Sequence, residues 1–187
     1  MKALVLVLCA SLLIACGGTF RSVVAPGYEA PAGEQIAVTY LDHPDINISN
    51  EATQVLEEQM AYCEIKNFLT AEKVQELLEK NNTTLPKRLT QNSIQALKEA
   101  LPAKYLITGG VTKWQKGGVR FPVALDTEVG ASLTMYDLAT GKVVWTISGE
   151  EKGSGGLFAE DSKTKAKTVF KKMLSKWKGF CQPTTAY

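Results

Sequence analysis

The hydrophobic period of this chain changes near Pro102, and that change limits the folds open to it. Before it, apolar residues recur at three- and four-residue intervals: Val55, Leu56, Met60 and Cys63, then Val74, Leu77 and Leu78, then Ile94, Leu97 and Leu101. Each set falls on one face of a helix. After it, Val129, Ala131, Leu133 and Met135 alternate, as on a strand with one buried face. The helical period returns once more, in Ala166, Val169, Phe170, Met173, Leu174 and Trp177. Helices with one apolar face and strands with one apolar face must cover each other.

Local signals set the expected order. Strands are predicted over residues 35–41, 64–69, 105–114 and 129–135, and over 143–148. Ser49 or Asn50 is the expected cap of the first helix, and Thr70 opens the second. Leu85-Pro86 breaks the chain, and residues 90–101 form a third helix stopped by Pro102. Asp137 to Lys142 is a hairpin turn, with Gly141 suited to a left-handed backbone. A last helix runs over 161–178. The expected class is α/β, a three-layer-like sandwich around one mixed sheet, ordered β-α-β-α-α-β-β-β-α, in a single domain over 35–181 followed by a tail over 182–187.

The N-terminus points to a location. Lys2 precedes thirteen residues without charge, too few for a membrane span, which takes about 20 as a helix. Leu13-Ile14-Ala15-Cys16 closes that run and resembles the lipobox of bacterial lipoproteins. The resemblance implies a lipoprotein signal peptide over 1–15, cleaved before Cys16. It implies a diacylglycerol and an N-acyl chain such as palmitate on Cys16, and no other cofactor. Gly17, where an inner-membrane retention signal would place Asp, favours the outer membrane, facing the periplasm. Residues 16–34, rich in Gly, Ala and Pro, are expected to be a flexible tether of roughly 25 Å average span.

Cys9 would leave with the signal and Cys16 would carry lipid, so Cys63 and Cys181 form the expected disulfide, with two separate buried thiols as the alternative. A metal site is not expected: no CxxC and no second His accompanies them.

Two motifs carry a further resemblance. Tyr105-Leu-Ile-Thr-Gly-Gly-Val111 and Met135-Tyr-Asp-Leu-Ala-Thr-Gly-Lys-Val-Val-Trp145 resemble the periplasmic domain of curli-secretion lipoproteins (CsgG-like) and of outer-membrane activators of peptidoglycan synthases (LpoB-like). The likeness extends over roughly 35–178 and rests on turn and core residues, which specify fold better than function. It implies an adaptor or activator in envelope assembly, with a secretion-ring subunit as the alternative. A pore of the curli type is not expected, because a spanning strand takes about 9–11 residues and the connections over 115–127 and 149–160 are short. Residues 115–126 are expected to be a mobile loop. Its Val119, Phe121, Pro122 and Val123 either meet a partner or tuck onto the body.

The last helix carries seven lysines and no acid after Asp161. Its lysines, Lys171 and Lys172 among them, either flank a core-packing stripe or meet anionic lipid or an acidic partner. Enzyme signals are poor. His43, the single histidine, sits in Asp-His-Pro-Asp, which reads as a loop at a strand end. HExxH, GxSxG and P-loop spacings are absent, and Gly153-Ser-Gly-Gly156 reads first as a linker. A net charge of +2 gives no reason to expect nucleic acid. The expected partners are a membrane, through the lipid, and either an envelope protein or further copies of this chain. A ligand binder is a third alternative, requiring an aromatic pocket for which Trp114, Trp145 and Trp177 are candidates.

Overall fold

The computed structural model describes residues 18–28, 33–63, 65–86, 89–120, 123–153 and 159–177. Its strands are β1 (Thr19–Val24), β2 (Ile36–Val38), β3 (Phe68–Leu69), β4 (Tyr105–Gln115), β5 (Gly118–Arg120), β6 (Val123–Leu125), β7 (Glu128–Asp137) and β8 (Val143–Lys152). Its helices are α1 (Ile46–Tyr62), α2 (Ala71–Lys80), α3 (Gln91–Ala100) and α4 (Ser162–Ser175). Six strands form one mixed sheet in the order β1-β8-β7-β4-β2-β3, and β5-β6 form a separate hairpin.

The buried residues are those whose spacing announced them. Val129, Ala131, Leu133 and Met135 of β7 face Ala166, Val169, Phe170, Met173 and Leu174 of α4, and Val55, Leu56 and Met60 of α1 join the same cluster. On the opposite face, Ala37 of β2 and Leu106 of β4 meet Val74 and Leu78 of α2 and Ile94 and Leu97 of α3. Helices thus cover both faces around β2 and β4. Toward β8 and β1 the second face turns Ser148, Lys152 and Arg21 to solvent.

Local chemistry ends the elements. Thr70 and Thr90 cap α2 and α3 as expected, and Thr90 with Ser93 completes a reciprocal capping box. Gly141 has φ +71°, the left-handed conformation that the β7–β8 turn requires. The Asp137 carboxylate accepts from the backbone N–H groups of Ala139 and Thr140 at 2.8 and 2.9 Å, which tightens that turn.

Three expectations are corrected. The cap of α1 is Asp45, whose carboxylate accepts from Asn47 N–H at 2.9 Å. Ser49 is buried instead and donates to the Leu41 carbonyl at 2.5 Å, fixing the exit from β2. Part of the expected tether belongs to the body. Residues 19–24 form β1, paired antiparallel with β8 from Thr19↔Glu150 to Val24↔Trp145. Ala25 N–H then donates to the Val144 carbonyl at 3.0 Å, and Tyr28 meets Tyr105 edge to face at 6.0 Å. Finally, the described residues of 115–126 are largely strand: β4 runs through Gln115, and β5 and β6 follow and pair with each other. Cys16, Phe121, Pro122 and Cys181 lie outside the described residues. Cys63 is buried and disulfide-bonded.

Candidate partner and membrane surfaces

One end of the sheet gathers a set of charged rungs and the root of the β5–β6 hairpin. β1 begins there, with Thr19 opposite Glu150. β4 ends there, with Gln115 opposite Glu128, and β8 ends with Lys152 opposite Glu128. The hairpin leaves from this end because it joins β4 to β7.

The rungs at this end carry a charge ladder. Lys113 reaches Glu150 at 2.5 Å and Glu128 at 3.4 Å, and Lys152 reaches Glu128 at 2.7 Å. The Lys152 ammonium, and Lys113 after it, hold the Glu128 carboxyl below the usual carboxylate range. Glu150, first, and Glu128 hold Lys113 above the usual ammonium range. Alternation of sign across three neighbouring strands favours this register over a slipped one. Exposed pairs of this kind add little stability.

The base of the hairpin is fixed. Thr127 Oγ1 accepts from Gly117 N–H at 3.0 Å and donates to the Glu160 carbonyl at 2.5 Å, joining the hairpin's root to the start of α4. Beyond the root, β5 and β6 pair with each other and share no substantial contact with another described helix or strand. Val119 is 57% exposed. The apolar group on this segment therefore does not tuck onto the body at that residue.

The lysine-bearing helix behaves differently. The stripe from Ala166 to Trp177 is buried, and several flanking lysines have partners in the fold. Lys165 pairs with Glu160 at 2.6 Å and Lys167 with Glu58 at 3.1 Å. Lys172 pairs with Glu151, a carboxylate on the buried face of β8, and Lys171 lies over the Tyr62 ring at 5.1 Å. A buried carboxylate needs such a cation. Lys172 is thus engaged by the core edge while still partly exposed. Glu151 pairs with Val129, one rung from Glu128, and the Lys172 ammonium lies 5.8 Å from the centroid of the Phe20 ring, so Lys172 reaches toward the hairpin end of the sheet.

A cavity of about 260 Å³ lies between the end of β2 and α2, lined by Thr39, Tyr40, Val74, Leu78, Glu79 and Leu85 among others. None of the three tryptophans lines it. Trp145 and Trp177 are stacked in the core instead, and Trp114 is half-buried against it. His43 serves the loop before α1, where its Nδ1 accepts from Asp45 N–H at 3.0 Å. Among the described residues, no three His, Cys, Asp or Glu side chains gather as a metal site, and no helix is long and apolar enough to cross a membrane.

Sequence reasoning missed the end-of-sheet cluster because β1 carries almost no periodic signal. The Glu128–Lys113–Glu150 ladder becomes visible only once the register is known.

No protein-family model and no curated protein sequence matches the chain. Solved structures do. PelC from Paraburkholderia phytofirmans, a dodecamer, is 20% identical with a TM-score of 0.61; the match covers 89% of this chain and 100% of that one. A variant PelC dodecamer from the same organism matches at 19% identity and a TM-score of 0.58, over 84% and 96% of the two chains. At these identities the likeness shows a shared fold. The LpoB C-terminal domain from Salmonella enterica, 14% identical over 70% of this chain and 87% of its own, reaches a TM-score of 0.44, too distant to carry an argument.

Proposed function

We propose that this chain is a lipid-anchored, non-enzymatic protein of the bacterial envelope that works as one subunit of a multi-copy assembly. Cys16 carries the lipid and the body faces the periplasm, held at the outer membrane. The observation that carries the assembly reading is the fold likeness to PelC over the whole of that chain, because PelC is a dodecamer. The sheet edge at β1 suits the same role, since among the described residues β1 is paired with β8 on one side only. The end-of-sheet ladder pairs its carboxylates with lysines, which suits a structural surface better than general acid or base work.

The test is the molar mass of the lipidated protein in mild detergent, by light scattering with detergent subtracted. A single high-order oligomer supports the proposal. A monomer overturns it and leaves the tethered adaptor or synthase activator as the reading to pursue. Intact mass of the same sample reports separately whether Cys16 bears its lipid.

A further inference from the structure

β1 begins at the end of the sheet from which the hairpin leaves. Cys16 precedes Thr19 by three residues, and Thr19 is already paired with Glu150. Three extended residues span at most about 11 Å. A lipid on Cys16 therefore holds this end of the sheet against the headgroups, where a flexible tether over residues 16–34 would have let it drift. The hairpin leaves from the same end. Five residue steps separate Gln115 from Arg120, which bounds the hairpin's reach at about 16 Å if extended.

We propose that the β5–β6 hairpin is a second membrane contact, entering the headgroup region of the leaflet that holds the Cys16 lipid. This rests on the lipidation proposed above. The occupant follows from the length of chain between Cys16 and Thr19, which leaves no room for a partner domain between that end and the bilayer. The hairpin's composition fits. Val119 is exposed, and its segment carries the cations Lys116 and Arg120 against the one acid Asp126. A short apolar element flanked by cations adds a second signal to an acyl anchor. It also fixes the orientation of the sheet relative to the membrane, which a single flexible attachment leaves free.

The test uses the full lipidated chain in vesicles of phosphatidylethanolamine and phosphatidylglycerol with brominated acyl chains. Val119→Trp places a reporter on the hairpin. Val143→Trp places one on an exposed position at the opposite end of β8. Fluorescence is read as the increment over the parent protein. The expected result is quenching of about half the V119W increment and little of the V143W increment. An unquenched V119W increment in protein whose intact mass carries the Cys16 lipid overturns the proposal while leaving the anchor standing. Equal quenching at both positions also overturns it. Intact mass without lipid overturns the anchor and this proposal together. Both substitutions are at exposed positions, and near-native thermal unfolding of each variant confirms that the fold is retained.

Discussion

Trp145 and Trp177 stack with ring centroids 4.7 Å apart and planes inclined by 14°. One ring belongs to β8 and the other follows the end of α4, so the pair closes the last helix onto the sheet. Both are fully buried. Trp145 Nε1 also donates to Ser22 Oγ at 3.1 Å, which ties β1 to the same point.

Replacing Trp177 by Ala removes one half of that stack and opens a cavity. The expected cost is about 3–5 kcal/mol. Denaturant unfolding of the full chain in mild detergent checks it. A loss under about 1 kcal/mol would mean that the site collapses to fill the space.

The interior of this fold was legible because burial imposes a period. Val129 to Met135 and Ala166 to Trp177 declared their faces, and Thr70, Thr90 and Gly141 marked ends by chemistry that acts within a few residues. β1 was not legible. Thr-Phe-Arg-Ser-Val-Val lies among Gly and Pro and lacks a sustained period, and its strand state comes from the free edge of β8, a tertiary cause. The hairpin strands have three residues each, too short for a period to show beside Gly117-Gly118 and Pro122. The α1 cap was misplaced because Ser49 spends its hydroxyl on Leu41, four residues after the true cap. Of the candidate surface, Val119 and the lysines of α4 were visible in the sequence, whereas the ladder of Lys113, Glu128, Glu150 and Lys152 depended on register.

Glu57 gives the stability a pH dependence of known sign. Burial, foremost, and nearby Glu72 push its carboxyl above the usual 4.5, while Ala71 N–H, donating at 2.7 Å, pulls it back. The folded chain therefore binds this proton more tightly than the unfolded chain. The contribution is fully present below pH 4.5 and is lost as pH rises through the raised value. Glu57→Gln retains an acceptor for Ala71 and removes the charge. The stability of E57Q relative to the parent is expected to improve on going from about pH 4 to about pH 7. A constant difference across that range would assign the dependence elsewhere.

Cys63 is disulfide-bonded, and its partner lies outside the described residues. The expected partner is Cys181. Non-reducing peptide mapping should yield a peptide pair joining residues 63 and 181, and a free Cys181 thiol would refute the pairing. A bridge closing a loop of this length contributes up to about 4–5 kcal/mol in the chain-entropy account. Cys63→Ser should lower the unfolding midpoint accordingly, and reduction of the parent protein should reproduce the loss.

Gly149 decides whether β1 stays in the sheet. It pairs with Phe20, and an added Cβ would meet the Phe20 ring at 2.4 and 2.5 Å and Met173 Cγ at 3.0 Å. Phe20 is partly buried against the core cluster, so its ring moves only by disturbing that packing. Met173 belongs to the buried stripe and gives way only at a packing cost. Gly149→Ala is therefore expected to loosen β1 while β7, β4 and β2 keep their pairing. Hydrogen exchange should rise across residues 19–24 by at least about tenfold, the effect of about 1.4 kcal/mol, with β7 protection retained. The consequence reaches the membrane surface. With β1 released, the segment between Cys16 and the body lengthens to the span expected of a free tether, and the hairpin should lose its enforced nearness to the bilayer. In the brominated vesicles, G149A combined with V119W should show weaker quenching than V119W alone. Undiminished quenching alongside raised exchange in β1 would mean that the hairpin holds the membrane without help from the anchor's short reach.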